Sequence, residues 1–206
     1  MKNRAFVFDL DDTLIDTSDR HYTVMLEYLK SYKIDLFSKE EYLYLRKKYQ
    51  LSNQNIIAKY FSSVANEFNK WWGRNIESKS FLSYDHQIVE SALLAKLVEK
   101  NKGSLILLSL RSNLETAETQ FEEFSFSQYF SEVYFLPHAT TNPKIEMLST
   151  LKARYEKILF IGDSESDAEA SNQAFVDFTG VMTGFYPLSV PSKFSDINQT
   201  LKNILE

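Results

Sequence analysis

The chain has 206 residues, 44% hydrophobic and 25% charged, with a formal net charge of −5. That balance suits one globular domain, or a core with an inserted subdomain, and not a disordered chain. There is no cysteine, which excludes disulfides, thiolate metal sites and a cysteine nucleophile. The acidic excess argues against nucleic-acid binding. The longest apolar runs, such as residues 105–108, are too short to span a bilayer. The first residues reach an acidic cluster before a signal-peptide apolar region could form, so a soluble cytoplasmic protein is expected.

Residues 5–8 read as a short buried strand that runs into Asp9, Leu10, Asp11, Asp12 and Thr13. The stretch 16–84 then holds one glycine and no proline. With both strong helix breakers nearly missing it reads as helical. Helices are expected near 21–31 and 39–49. The clearest is expected over 53–72, where Ile56, Tyr60, Val64, Phe68 and Trp72 form an i, i+4 ladder. Beyond residue 86 short apolar runs alternate with helix-length segments. Strands are expected at 105–108, 133–135, 158–161 and 176–179. Helices are expected at 87–101, 114–124, 143–155 and 194–205. This alternation predicts an α/β fold, a Rossmann-like parallel sheet with helices on both faces and an inserted α-helical cap. The core is assigned to residues 1–15 and 87–206 and the cap to 16–86. The cap segment has eleven Lys/Arg against nine Asp/Glu, and the remainder twelve against nineteen. A mildly basic insert could attract an anionic substrate, although scattered surface charge explains most of these residues.

Ligands of an open parallel sheet bind beyond the carboxyl ends of its strands. The expected strands deliver Asp9 and Asp11, then Ser109, then Asp163 and Asp167 to that rim. Asp9 and Asp11 are two apart, so on an extended chain they share a direction. Like charges crowded there call for a cation. Hard oxygen ligands of this kind suit Mg²⁺, which keeps waters and substrate phosphate oxygens. Asp12 reads as a local turn or N-cap residue. Asn142 and Pro143 read as the N-cap and first residue of a helix, which puts Lys144 at its start. Chance would place a D-x-D-x-T motif in this chain with probability ~0.03 and a G-D-x-x-x-D motif with ~0.01.

These residues resemble the four motifs of the haloacid dehalogenase superfamily: D-x-D-x-T at Asp9 to Thr13, a Ser closing a strand at Ser109, a Lys at a helix start at Lys144, and G-D-x-x-x-D from Gly162 to Asp167. The stretch between the first two resembles the C1-type cap of that family. The resemblance implies a Mg²⁺-dependent phosphatase acting on a small phosphorylated metabolite. Asp9 would be the nucleophile that forms an aspartyl-phosphate, and Asp11 the general acid and base. Ser109 and Lys144 would bind the phosphate. Mg²⁺ would be held by Asp9, the Asp11 carbonyl, Asp163 and Asp167. Two departures stand out: Asp12 replaces the glycine of many members, and Lys144 follows a proline. The dehalogenases lack the acid at the Asp11 position, so a phosphate substrate is preferred over a halo-acid. A phosphomutase similar to β-phosphoglucomutase and a non-catalytic phosphate-binding relative are the alternatives.

Arg111 either reaches the substrate or lies on the surface, and it is counted here as a substrate-binding candidate. Within the insert Arg46, Lys47, Lys48, Lys59, Lys70, Arg74, Trp71 and Trp72 are candidates for specificity. Trp72 is expected in the insert's core; Trp71 is expected either partly exposed or packed on the other helices of the insert, the packed reading being preferred; His21 and His86 read as structural. The sequence gives no reading of oligomeric state.

Overall fold

The computed structural model describes residues 2–101 and 104–206. In chain order the elements begin with β1 (Lys2–Phe8) and β2 (Ile15–Asp16). Five helices follow: α1 (Ser18–Ser31), α2 (Lys39–Tyr49), α3 (Asn53–Tyr60), α4 (Ala65–Asn75) and α5 (Lys79–Leu82). Next come β3 (His86–Gln87), α6 (Ser91–Asn101), β4 (Leu105–Leu110), α7 (Leu114–Glu123) and β5 (Glu132–Leu136). The chain ends with α8 (Pro143–Lys152), β6 (Tyr155–Gly162), α9 (Glu165–Ala174), β7 (Asp177–Val181), β8 (Lys193–Phe194) and α10 (Ile197–Leu205).

The chain divides into two compact units, residues 1–16 with 87–206 and residues 17–86. The first unit is built on a six-stranded sheet in the order β5-β4-β1-β6-β7-β8, with every pairing parallel. The short β2 and β3 form a separate two-stranded sheet. A parallel sheet covered on both faces needs strands that are apolar on both sides. The register of β1 shows this directly. Phe6 and Phe8 join Leu105 and Leu107 in one core, with Leu94 and Leu97 of α6, Phe121 of α7 and Ile197 and Leu201 of α10. Ala5 and Val7 join Ile106, Leu108 and Phe160 in the other, with Leu148 and Leu151 of α8 and Ala170 and Ala174 of α9. The chain leaves β1 toward β4 and β5 on one side and reaches β6, β7 and β8 on the other. The carboxyl end of β1 is therefore the switch point at which such sheets bind ligands.

The second unit has its own core, with Val24, Met25, Tyr28, Leu29, Tyr42, Ile56, Ile57, Phe68 and Leu82 buried. Two polar ties stiffen it. Arg20 Nε lies 3.2 Å from Asp85 Oδ1, both fully buried. Arg46 Nη1 donates to Tyr42 Oη at 2.8 Å and to Asn53 Oδ1 at 2.6 Å, joining α2 to α3.

Four expected helices differ from the structure. The one expected over 87–101 starts at Ser91, because Gln87 belongs to β3. The helix expected over 53–72 is two helices, α3 and α4, separated by a 3-10 turn at Ser62–Val64. Phe61 leaves the helical region at φ −136°. The serines that follow it bond readily to local backbone and interrupt helices. The break frees the Val64 carbonyl, which accepts a hydrogen bond from the Tyr28 hydroxyl. The helix expected over 143–155 stops at Lys152, because Tyr155 opens β6 and is buried in the core. The last helix begins at Ile197 and not at 194. Phe194 pairs with Val181 in the sheet, and Asp196 caps the helix by accepting the Gln199 N–H at 2.9 Å.

Candidate active site

The end of β1 is fixed by the sheet. The Asp9 N–H donates to Ile161 O of β6 at 2.9 Å, and the Asp9 side chain is buried. The chain then turns sharply. Asp12 takes a left-handed conformation at φ 55°, which aspartate tolerates better than most residues. The amides of Thr13, Leu14 and Ile15 all point back to Leu10 O. Asp12 thus shapes the turn, and its carbonyl accepts a hydrogen bond from the Thr183 hydroxyl.

At the end of β6, Ser164 caps α9. Its hydroxyl accepts from Asp167 N at 3.2 Å, and Asp167 Oδ2 accepts from Ser164 N at 3.4 Å and from Ser164 Oγ at 2.6 Å. This reciprocal cap satisfies helix-end amides and leaves Asp167 Oδ1 to accept from Lys144 Nζ at 2.6 Å. Lys144 is placed by its own helix start: Asn142 Oδ1 accepts from Lys144 N at 3.0 Å, and Pro143 occupies the first turn. Asn142 Nδ2 also donates to Ser166 O at 3.0 Å, tying the start of α8 to that of α9. Lys144 Nζ then reaches Asp9 Oδ1 at 2.7 Å.

One carboxylate oxygen from each of Asp9, Asp163 and Asp167 lies within 4.8 Å of the others. Thr13 Oγ1 donates to Asp163 Oδ1 at 3.4 Å. Two glycines make room for the cluster. A Cβ on Gly162 would lie 2.7 Å from Asp167 Oδ2, and one on Gly184 would lie 2.2 Å from Asp163 Oδ2. Only glycine fits at either place without moving a carboxylate.

The charges are strained by this crowding. Burial, aided by the charges of Asp167 and Asp11 and opposed by Lys144, pushes the Asp9 carboxyl up to about 7. Burial, with the charges of Asp12, Asp9 and Asp167, pushes Asp163 well above the usual carboxylate range. Burial also works against the Lys144 ammonium, but Asp167 and Asp9 outweigh it and hold its pKa above the ordinary lysine value. One ammonium among three close carboxylates leaves negative charge that a hard divalent ion would neutralise. An all-oxygen donor set of this kind fits Mg²⁺.

The remaining residues singled out in the sequence fall in different places. Ser109 is buried on β4, two residues past the Leu107 that pairs with Phe8. Asp11 adds no side-chain oxygen to the three-carboxylate cluster. Both of its oxygens are held by Arg111, Nη1 to Oδ2 at 2.5 Å and Nη2 to Oδ1 at 2.6 Å. Arg111 is 2% exposed, which excludes a surface position, and its Nη2 also donates to Gln120 Oε1 at 3.2 Å. Arg46 is buried in its tie to Tyr42 and Asn53; it braces the helical unit and is not exposed to a ligand. Lys47, Lys48, Lys59, Lys70 and Arg74 are exposed. Trp71 Nε1 donates to Val24 O at 3.4 Å, and Trp72 packs edge-on against His21 at 5.2 Å. Gln120, Thr183 and Gly184 were not singled out by sequence, because none belongs to a motif and each matters through a contact set by the fold.

A model of the haloacid dehalogenase-like hydrolase family matches residues 6–181. The chain belongs to this family. Solved structures share the family fold along the whole chain. A candidate phosphatase from Clostridium difficile superposes with a TM-score of 0.77 at 18% identity, covering 100% of both chains. A subfamily IA hydrolase of the superfamily from Geobacter sulfurreducens gives 0.70 at 20% identity, covering 100% of this chain and 97% of its own. A candidate phosphoglycolate phosphatase from Lactobacillus plantarum gives 0.68 at 20% identity, covering 98% and 99%. No curated protein sequence matches the chain. Among the described residues no helix is long and apolar enough to cross a membrane.

Proposed function

We propose that the protein is a Mg²⁺-dependent phosphatase that hydrolyses a small phosphorylated metabolite through an aspartyl-phosphate on Asp9. The observation that carries this reading is the placement of Asp9. It is a buried carboxylate at the switch point of the sheet, bonded to Lys144 and grouped with Asp163 and Asp167. Asp9, Asp163, Asp167 and the Asp11 carbonyl would hold the ion. Mg²⁺ supplies charge neutralisation and orientation for a phosphate that the carboxylates alone would repel.

In the first step an Asp9 oxygen attacks phosphorus. The new O–P bond forms as the ester P–O bond breaks, and Asp11 gives its proton to the leaving oxygen. In the second step water attacks phosphorus, the Asp9–phosphorus bond breaks, and Asp11 takes the proton back. Lys144 neutralises Asp9 and the transferring group together. Ser109 is the side-chain donor proposed for a phosphate oxygen. The helical unit of residues 17–86, with its exposed Lys47, Lys48, Lys59, Lys70 and Arg74, is proposed as the cap that selects the organic part of the substrate.

A panel of phosphate monoesters, assayed for inorganic phosphate in the presence of Mg²⁺, tests the reading. Release from at least one small ester is expected without any added bisphosphate. A strict bisphosphate requirement would mark a phosphomutase, and silence across the panel would overturn the reading.

A further inference from the structure

We infer that Arg111, held by Gln120, is the positioning residue for Asp11, fixing the carboxylate that serves the leaving group and leaving substrate phosphate to other groups. The inference rests on the reading of Asp11 as acid and base. Asp11 sits on a turn just before the left-handed Asp12, and its side chain is 31% exposed. A carboxylate there would sample several rotamers if nothing held it. The Arg111 fork occupies both of its oxygens, and a bidentate pair fixes the plane of the carboxylate as well as its distance.

Arg111 is itself immobilised. Its backbone N–H donates to Leu136 O of β5 at 2.8 Å, its side chain is buried, and Gln120 Oε1 on α7 accepts from the same Nη2 that serves Asp11. The result is a continuous tie from α7 through Arg111 to Asp11, which lies 100 residues from Arg111 in sequence. For Arg111 to clamp a substrate phosphate instead, it would have to give up a two-point pair.

The test uses the full-length protein with Mg²⁺ and two esters. One is 4-nitrophenyl phosphate, whose leaving group needs no proton, and the other is glycerol phosphate, whose alkoxide does. Arg111→Met is expected to lower kcat on glycerol phosphate about a hundredfold and on 4-nitrophenyl phosphate less than about tenfold, with KM changing far less than kcat. Gln120→Met should show the same pattern at smaller size. In an Asp11→Asn background Arg111→Met should cost nothing further. Equal loss on both esters, a rise in KM at constant kcat, or full additivity with Asp11→Asn would overturn the inference. A crystal structure of Arg111→Met decides the point independently of turnover: Asp11 should leave its present rotamer, and an unmoved Asp11 carboxylate would overturn the inference. Silence of the wild-type protein on every ester of the panel would count against the proposed function, while the position of Asp11 in Arg111→Met still decides this inference.

Discussion

Asp9→Asn is expected to abolish phosphate release, lowering kcat by about ten-thousandfold or more, as loss of a covalent nucleophile does elsewhere. The amide keeps the shape of the side chain, and its oxygen can still accept the Lys144 Nζ hydrogen bond now made at 2.7 Å. What it loses is the electron pair that attacks phosphorus. The fold should survive, because burial already pushes the Asp9 carboxyl up to about 7, and a neutral group there relieves the crowding. Phosphate release and circular dichroism of the variant check both halves. Activity within tenfold of wild type, in a folded variant, would remove Asp9 from the mechanism.

The second large effect concerns the ion. EDTA is expected to stop turnover and added Mg²⁺ to restore it. Binding should also be visible without activity. A ligand at a hundred times its Kd stabilises the state that binds it by about 2.7 kcal/mol. For a chain of this length that corresponds to roughly 5–10 °C in Tm. Asp163→Asn should remove this gain, because it deletes one of the three oxygens grouped within 4.8 Å. Without Mg²⁺ the same variant should melt no lower than wild type. Asp163 is held well above the usual carboxylate range by burial and by its acidic neighbours, so neutralising it removes an unfavourable charge. A Mg²⁺-induced rise in Tm that persists in Asp163→Asn would place the ion elsewhere.

The strands and the site were legible in the sequence to different depths. The central strands stand out because a strand buried on both faces is a continuous apolar run; Leu105, Ile106, Leu107 and Leu108 are all fully buried in β4. The two-residue strands β2, β3 and β8 leave no such run, and only their pairing defines them. Apolar spacing continued unbroken through Ser62 and Ser63, so periodicity alone could not show the break between α3 and α4. Cap chemistry was more dependable: Asn142 and Pro143 mark the start of α8 in sequence and in structure.

In the site, residues 9, 144, 163 and 167 could be named because each follows a strand or opens a helix whose position the alternation implies. Partner choice was beyond that logic. That Asp11 turns to Arg111, that Gln120 holds Arg111, and that Gly184 lies against Asp163 depend on which loops the sheet order brings together. The burial of Arg46 is of the same kind. A cation on a charged helix reads as surface until Tyr42 and Asn53 are seen to receive it.

The most direct measurement is to trap the phosphoryl group. The protein with Mg²⁺ and a substrate ester found in the panel is quenched in acid during turnover, treated with borohydride, digested and sequenced by mass spectrometry. Reduction of an acyl phosphate should convert residue 9 to homoserine, and only in samples that received substrate. An unchanged aspartate at residue 9 during active turnover, or the label on another residue, would contradict the assignment of Asp9 as the group that accepts phosphate.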